Sequence, residues 1–145
     1  MIWIGRKKYS KEKIKVPYNL EWGTHQFHLL GIHFSTNLDE MPMLNYSAAL
    51  TQCDKLLTGW KKRNLTPFGK ITIIKTFILT KFNHIFACLP SPSAYFCKSL
   101  TKMLYDFLWD NKPDKIKRTQ ISQDYKNGGL RMVNIENFIH SLKLT

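Results

Sequence analysis

Residues 60–82 decide the fold of this chain: Trp-Lys-Lys-Arg-Asn-Leu-Thr-Pro-Phe-Gly-Lys-Ile-Thr-Ile-Ile-Lys-Thr-Phe-Ile-Leu-Thr-Lys-Phe. They predict the end of one amphipathic helix, a tight turn and the start of a second helix. Thr66 suits the N-cap, because its hydroxyl can accept a hydrogen bond from an unpaired N–H of the first turn. Pro67 suits the first helical position, where a missing N–H costs nothing. Apolar residues then recur at helical spacing and form one stripe: Ile71, Ile74, Ile78, Phe82 and Ile85.

Basic residues surround this turn. Lys61, Lys62 and Arg63 come just before the second helix, and three further lysines border its apolar stripe: Lys70, Lys75 and Lys81. Unpaired N–H groups and the positive end of the helix dipole would lie beside these cations, which favours phosphate binding. The alternative is that long cationic side chains only border a core helix and keep it in water. Both interpretations stay open at this point.

The composition is that of a folded, strongly basic protein. The 145 residues are 43% hydrophobic, 13% aromatic and 22% charged, which excludes a disordered tail. Twenty-two Lys plus Arg against ten Asp plus Glu give a formal charge of +12. A surplus of this size predicts a polyanionic partner, since each cation set against a phosphate releases counterions. An anionic membrane surface is another possible polyanionic partner, but the sequence contains no separate basic amphipathic anchor that would support it.

Cysteines and hydropathy predict the compartment. The three cysteines are odd in number and widely spaced, which fits neither a disulfide framework nor a zinc site. We expect buried free thiols in a reducing environment. The most apolar span, residues 71–89, contains Lys75, Lys81 and His84, so we expect no membrane-spanning helix. Without a signal peptide at the start, the prediction is an intracellular protein, nuclear or cytoplasmic.

Along the chain, a β region precedes a helical region. Short strands are predicted at residues 1–4, at 14–18 as an edge strand containing Pro17, and at 27–35 with Gly31 at a bulge or a close backbone approach. A polar connection, residues 36–43, leads to a first helix from about Asn45 to Arg63. A second helix spans residues 67–87, Ser93 caps a third, and Asn134 caps the last. A polar connection with a turn at Gly128-Gly129 separates the last two helices.

The predicted class is therefore α+β and mostly α, a short N-terminal β hairpin or sheet followed by an antiparallel bundle of about four helices. We expect three segments: a partial β region at 1–42, a helical pair at 43–92 and a further helical region at 93–145. The apolar stripe of the first helix consists of Tyr46, Leu50, Cys53, Leu57 and Trp60.

Catalytic motifs do not emerge. Asp106 and Asp110 are spaced i, i+4 and could share a divalent ion, but a polar helix face beside lysines explains them better. His28 and His33 would point to opposite faces of one unbulged strand, so a shared metal is not expected. We predict no catalytic residue and no metal site. Four aromatic residues near the N-terminus lie among basic ones and would either stack on bases or pack the small sheet: Trp3, Tyr9, Tyr18 and Trp22.

Several short motifs occur in a familiar order. They are Leu30-Gly31-Ile32, Trp60 with 63–70 (Arg-Asn-Leu-Thr-Pro-Phe-Gly-Lys), Ile74-Lys75, Leu89-Pro90, Phe107-Leu108-Trp109 and Gly128-Gly129-Leu130. This order resembles the C-terminal part of the reverse transcriptase of non-LTR (LINE-type) retrotransposons, and the resemblance covers nearly the whole chain. It implies that Leu30-Gly31-Ile32 matches the hairpin that ends the palm and supports the primer terminus. It also implies a thumb over residues 46–85 and a connecting region beyond it.

The resemblance implies no catalysis by this chain. The family's palm uses an adjacent Asp-Asp pair to bind metal ions for nucleotidyl transfer, and this sequence contains no such pair. We expect a truncated product or tail fragment of a retroelement, with no cofactor of its own, because Mg²⁺ would serve only the missing palm.

The leading hypothesis is a non-catalytic reverse transcriptase fragment that binds template–primer through a basic thumb-like surface. Its partner would be an RNA–DNA hybrid or another duplex, with the missing palm as a second partner and no membrane. The candidate contacts are Lys61, Lys62, Arg63, Thr66, Lys70, Lys75 and Lys81. The alternative is a basic helical protein-interaction module with no nucleic-acid role.

Overall fold

The computed structural model describes residues 26–144, so the strands predicted at 1–4 and 14–18 and the aromatic residues before position 25 lie outside the described part. The chain divides into two compact units, Met1–Asn45 and Tyr46–Thr145. The three-segment division at 42/43 and 92/93 stays a prediction. The described residues confirm the fold class: a short antiparallel β-hairpin is followed by a mostly helical region.

The hairpin consists of β1 (Gln26–Leu29) and β2 (Ile32–Ser35), joined by Leu30 and Gly31. The prediction of a single strand with a bulge at Gly31 is wrong. Leu30 and Gly31 both have positive φ, 51° and 82°, which is the backbone of a tight two-residue hairpin turn. His28 and His33 are directly opposite each other, with ring centroids 4.5 Å apart. They therefore share a face, and the expectation of opposite faces is also wrong.

Helix α1 spans Glu40–Lys61 and begins five residues earlier than predicted. Pro42 does not delay the start, because the first-turn N–H groups of a helix have no intrahelical partner. Asn45 connects this first part of α1 to the hairpin. Its amide oxygen accepts from His33 N, and its amide nitrogen donates to His33 O and Met41 O, each at 2.8 Å. Sequence periodicity could not show this, since the partners are backbone atoms of another element.

Helix α2 spans Pro67–Cys88 and contains a π-helical segment at Ile74–Leu79. The predicted N-cap is confirmed, since Gly69 N donates to the Thr66 hydroxyl at 3.2 Å. The wide turn was not predicted. Thr72, Thr76 and Thr80 each donate a hydroxyl hydrogen bond to the carbonyl four residues earlier, which is common where a helix bends or widens.

In the second unit, α1 and α2 run antiparallel. Tyr46 near the start of α1 contacts Phe86 near the end of α2, with ring centroids 5.9 Å apart, and Trp60 near the end of α1 contacts Phe77 at 5.6 Å. The Tyr46 hydroxyl donates to Pro90 O at 2.6 Å. Burial raises the pKa of Tyr46 to about 12 and that of the buried Cys53 thiol to about 11.

Helix α3 (Ala94–Leu108) packs antiparallel to α2. Its predicted cap is confirmed, because Phe96 N donates to the Ser93 hydroxyl at 3.2 Å. The rings of Phe82 and Phe86 are 5.1 Å apart, and Phe96 contacts both edge-on. This aromatic cluster and the buried leucines of α3 form the centre of the core.

The region after α3 contains more structure than the predicted polar connection. A short helix α4 (Arg118–Ile121) and a 3₁₀ turn (Tyr125–Asn127) precede Gly128. Helix α5 (Ile135–Lys143) starts at the predicted cap, with Asn137 N donating to the Asn134 side-chain oxygen at 3.0 Å. Phe138 of α5 contacts Phe86 of α2, and the Lys143 ammonium donates to Leu89 O.

By length and composition, α2 is the one helix in the described part that could cross a membrane, a test that buried core helices also pass. Its apolar stripe is buried here: Ile71, Ile74, Ile78 and Phe82 are at most 3% exposed.

Candidate nucleic-acid interface

The seven predicted contact residues do not form one surface. Lys70 is the clearest departure, because it is only 4% exposed. Its ammonium pairs with Asp110 at 2.6 Å, donates to Leu108 O at 3.4 Å and lies 5.7 Å from the centre of the Phe107 ring. An ammonium with these partners joins the start of α2 to the end of α3. Its structural role is clear, and its predicted contact with phosphate stays untested.

A sequence signal could have indicated this burial. Lys70 precedes Ile73 and Ile74 by three and four residues, and both are buried. Residues at this spacing share a helix face, so Lys70 begins the apolar stripe rather than bordering it. The partner carboxylate could not be chosen from sequence. Asp110 follows the end of α3 with a φ of 54°, a left-handed conformation that non-glycine residues seldom adopt.

The contact between Lys70 and Asp110 also joins two sequence motifs. Lys70 ends the Gly-Lys motif, and Asp110 directly follows Phe107-Leu108-Trp109. Trp109, the last residue of that motif, is buried at 5% exposure. Its indole N–H has no hydrogen-bond partner among the described residues. These motif residues therefore support the core.

Lys62 and Arg63, by contrast, are exposed beside the turn. The Arg63 guanidinium lies 4.4 Å from the centre of the Trp60 ring, and Trp60 in turn contacts Phe77. Such a stacked guanidinium keeps its N–H donors available to a phosphate. Lys81 is exposed one turn after Phe77, and its charge is felt by Cys53 of α1. We call this surface the α1–α2 rim: Lys62, Arg63, Lys81, Trp60 and Phe77.

Lys61 has different surroundings. Its ammonium donates to the Asn111 side chain at 3.0 Å. It borders a cleft of about 320 Å³ to which Asp54 and Asp106 also contribute. Mixed charges of this kind attract a polyanion less than the α1–α2 rim does.

Lys75 lies on another side of α2 and is half-buried. Its pKa is lowered, first by burial and then by the positive charge of Arg131. Arg131 follows the Gly128-Gly129-Leu130 motif and stacks on Tyr125 at 4.9 Å, while Tyr125 contacts Phe68 of α2 at 5.9 Å. The structure therefore brings Phe68, in the motif at 63–70, into contact with Tyr125, which lies just before the motif at 128–130. The involvement of Tyr125 and Arg131 was not predicted.

The glycines explain how that loop is built. A Cβ on Gly129 would lie 2.0 Å from the backbone oxygen of Gln123, so only glycine fits. Gly128 has a φ of 74°, and its N–H donates to Tyr125 O at 3.1 Å. Arg131 N donates to Gln123 O at 3.0 Å. The loop thus fixes both Tyr125 and Arg131 against α2.

A second basic cluster lies after α3, where Lys112, Lys115, Lys117 and Arg118 are all exposed. Arg118 pairs with Asp114 at 2.7 Å and lies 4.2 Å above the Tyr105 ring. It also lines a cleft of about 400 Å³ together with Lys98 and Ser122. Burial raises the pKa of Tyr105, against the lowering effects of a hydrogen bond with Ser122 and the charge of Arg118.

In the first unit, the residues that resemble a primer grip form the hairpin turn. Leu30 is 80% exposed, Gly31 is exposed at the tip, and Ile32 is buried at 3%. This geometry presents Leu30 and Gly31 outward, while Ile32 anchors β2. Whether the turn supports a primer terminus stays a prediction.

Metal and thiol chemistry add little to this picture. Among residues 26–144, no group of three or more His, Cys, Asp or Glu side chains is placed to hold a metal ion. Of the three free cysteines, Cys53 and Cys97 are buried as expected, and Cys88 is exposed. Burial raises the pKa of Cys97 as well, so it is a poor nucleophile at neutral pH.

No protein-family model matches the chain.

Proposed function

We propose that the chain is a non-catalytic, thumb-like part of a non-LTR retrotransposon reverse transcriptase that binds template–primer duplex. The α1–α2 rim carries this proposal. Its three cations, Lys62, Arg63 and Lys81, are exposed, and the Arg63 guanidinium lies over the Trp60 ring, which contacts Phe77. Phosphate contacts of this type position a duplex without selecting its sequence.

Charge distribution supports the same conclusion. Residues 46–145 contain sixteen Lys plus Arg and six Asp plus Glu, a formal excess of ten positive charges. Three of the six acidic side chains are already paired with cations: Asp110, Asp114 and Asp124. The outward field of this unit is therefore positive, which draws a polyphosphate to it. An RNA–DNA hybrid is the ligand that the family resemblance favours.

The test measures how hybrid-duplex affinity of the full chain depends on salt. In the triple variant Lys62→Gln, Arg63→Gln and Lys81→Gln, three phosphate contacts are lost, so the slope of log K against log salt should flatten by about 2–3. The matched control is Lys112→Gln, Lys115→Gln and Lys117→Gln, which removes the same charge from exposed positions after α3. Equal flattening in both variants would show general attraction only, and an unchanged slope in the first would exclude the α1–α2 rim.

A protein-interaction module is the second candidate, and the hairpin supports it. All four residues of β1 are exposed, and Leu29 and Leu30 are 53% and 80% exposed. An exposed apolar edge strand favours pairing with another chain. Sedimentation of the pure protein with and without hybrid duplex separates the two candidates. Self-association that Leu29→Lys abolishes, without any salt-dependent binding of duplex, would favour the second.

A further inference from the structure

The duplex proposal does not use an aromatic and cationic group formed by the exposed Phe68, Tyr125 and Arg131 and the half-buried Lys75. We call it the Phe68–Tyr125 platform. Phe68 and Tyr125 are 54% and 48% exposed although they are large aromatic residues in contact with each other. Exposed rings of this kind are unusual on a surface with no partner.

We propose that the Phe68–Tyr125 platform binds an unpaired nucleotide, with the base stacked on the exposed rings and its phosphate between Lys75 and Arg131. This rests on the proposed function and extends it from the duplex to its single-stranded extension. The ligand chemistry is an aromatic base joined to a phosphate, which this mixture of residues matches.

The aromatic part of the argument is geometric. The two ring planes are inclined by 40°, so they do not cover each other face to face. Arg131 approaches Tyr125 at 4.9 Å from the ring centre, and its side chain is 54% exposed. A base can therefore stack on the exposed ring surface beside the guanidinium.

The cationic part of the argument is that Lys75 and Arg131 are not fully neutralised by carboxylates. Lys75 and Arg131 lie close enough for the charge of one to oppose protonation of the other. The carboxylate that pairs with Arg131 is that of Asp124, at 2.6 Å. One carboxylate for two cations leaves room for a further anion, and exposed Lys126 adds a third positive charge on the same turn. A phosphate would relieve the repulsion between Lys75 and Arg131.

The backbone of Arg131 is consistent with a positioning requirement. Its φ is 55°, a conformation that costs energy in a residue other than glycine. The Gly128-Gly129 turn and the hydrogen bond from Arg131 N to Gln123 O hold it there. The proposal thus gives a role to the Gly128-Gly129-Leu130 motif, which the duplex surface leaves unexplained.

The test uses the full chain and three hybrid duplexes: blunt, with a five-nucleotide RNA tail, and with a five-nucleotide DNA tail. 2-Aminopurine at the first unpaired position reports stacking through quenched fluorescence. We expect a tail of at least one kind to bind about tenfold more tightly than the blunt end. The double variant Phe68→Leu and Tyr125→Leu keeps the apolar volume and should lose both this gain and the quenching. The RNA and DNA arms show which strand the site takes.

Tyr95→Leu is the matched control, because Tyr95 is an exposed aromatic residue, 81% exposed, on α3. It should keep the tail effect in full. Binding of the blunt duplex depends on the α1–α2 rim and not on the platform. If the wild-type protein does not bind the blunt duplex, the proposed function is rejected, and binding of a free single strand then tests the platform by itself. A tail effect of the same size in the double variant and in wild type would overturn the platform. So would equal affinity for tailed and blunt duplexes in the wild-type protein.

Discussion

Lys70 and Lys75 lie on the same helix, five residues apart, and have opposite surroundings. Lys70 is buried and paired with Asp110, whereas Lys75 is half-buried beside Arg131, a like charge. The first arrangement stabilises the fold, and the second costs stability. The contrast teaches that the role of a lysine in this basic helix depends on its partners. Two neighbouring cations without enough carboxylates, such as Lys75 and Arg131, indicate a ligand better than a paired lysine does.

The largest effect should come from the loop that supports the Lys75 side. Gly129→Ala places a methyl group 2.0 Å from Gln123 O, so we expect a loss of about 3 kcal/mol in the free energy of unfolding. Gly59→Ala is the control, because Gly59 lies in helix α1 and a Cβ there would meet nothing within 4 Å. It should stabilise by about 0.5–1 kcal/mol. Urea denaturation measures both, and equal effects would contradict the close approach.

The interior should respond to alkaline pH. Tyr46 and Cys53 have pKa values raised from 10.0 to about 12 and from 9.0 to about 11. Protonation is favoured in the folded state, so their stabilisation is complete below pH 9 and is lost as pH rises to 12. A shift of this size corresponds to roughly 2–3 kcal/mol per group. In urea denaturation at a series of pH values, Tyr46→Phe should flatten the upper part of the curve of unfolding free energy against pH. Tyr95→Phe, at an exposed position, is the control and should leave the curve unchanged.

The Lys70 side should be sensitive to loss of either partner. Lys70→Ala removes a charged hydrogen bond to Asp110 and leaves a cavity, so unfolding should become easier by about 2–3 kcal/mol. Asp110→Asn, which leaves the buried ammonium with a weaker acceptor, should cost about 1 kcal/mol. Thermal unfolding gives both values. Lys70→Met keeps the volume for a binding assay, and an unchanged salt slope would confirm a purely structural role.

The Lys75 side should show the smallest effect and the opposite sign. Lys75→Met removes a repelled charge, so the free energy of unfolding at pH 7 should rise by about 0.3 kcal/mol. The pKa of Lys75 is lowered from its ordinary 10.5, so the wild-type protein regains this stability as pH rises through the interval just below 10.5. Equal stability of the two proteins at pH 7 would show that the repulsion between Lys75 and Arg131 does not lower the stability of the fold.

Local chemistry made much of the fold predictable. Thr66, Ser93 and Asn134 each accept the hydrogen bond expected of an N-cap, because capping depends on three or four adjacent residues. Four of the five residues in the apolar stripe of α2 are buried, as their spacing predicts, and the fifth, Ile85, is half-buried. The residues alone predicted one strand over 27–35, because Leu30-Gly31 is an uncommon turn sequence inside a run of strand-forming residues, whereas the family resemblance implied a hairpin at Leu30-Gly31-Ile32.

The candidate site was less predictable, because it depends on residues far apart in sequence. Lys70 finds its carboxylate 40 residues away, and Phe68 meets Tyr125 at an even greater separation. Periodicity places a side chain on a face but does not name what lies opposite. The motifs at 63–70 and 128–130 were visible separately, and only the structure shows Phe68 of the first in contact with Tyr125, which lies just before the second.

The π-helical segment Ile74–Leu79 has a consequence for comparing this chain with other proteins. A π turn contains one residue more than an α turn, so it rotates everything beyond it around the helix axis. Phe68 and Lys70 precede this extra residue, whereas Lys81, Phe82 and Phe86 follow it. A homologue with a regular helix here would be one position shorter. An alignment that forbids a gap inside α2 would then match the wrong residues after Leu79.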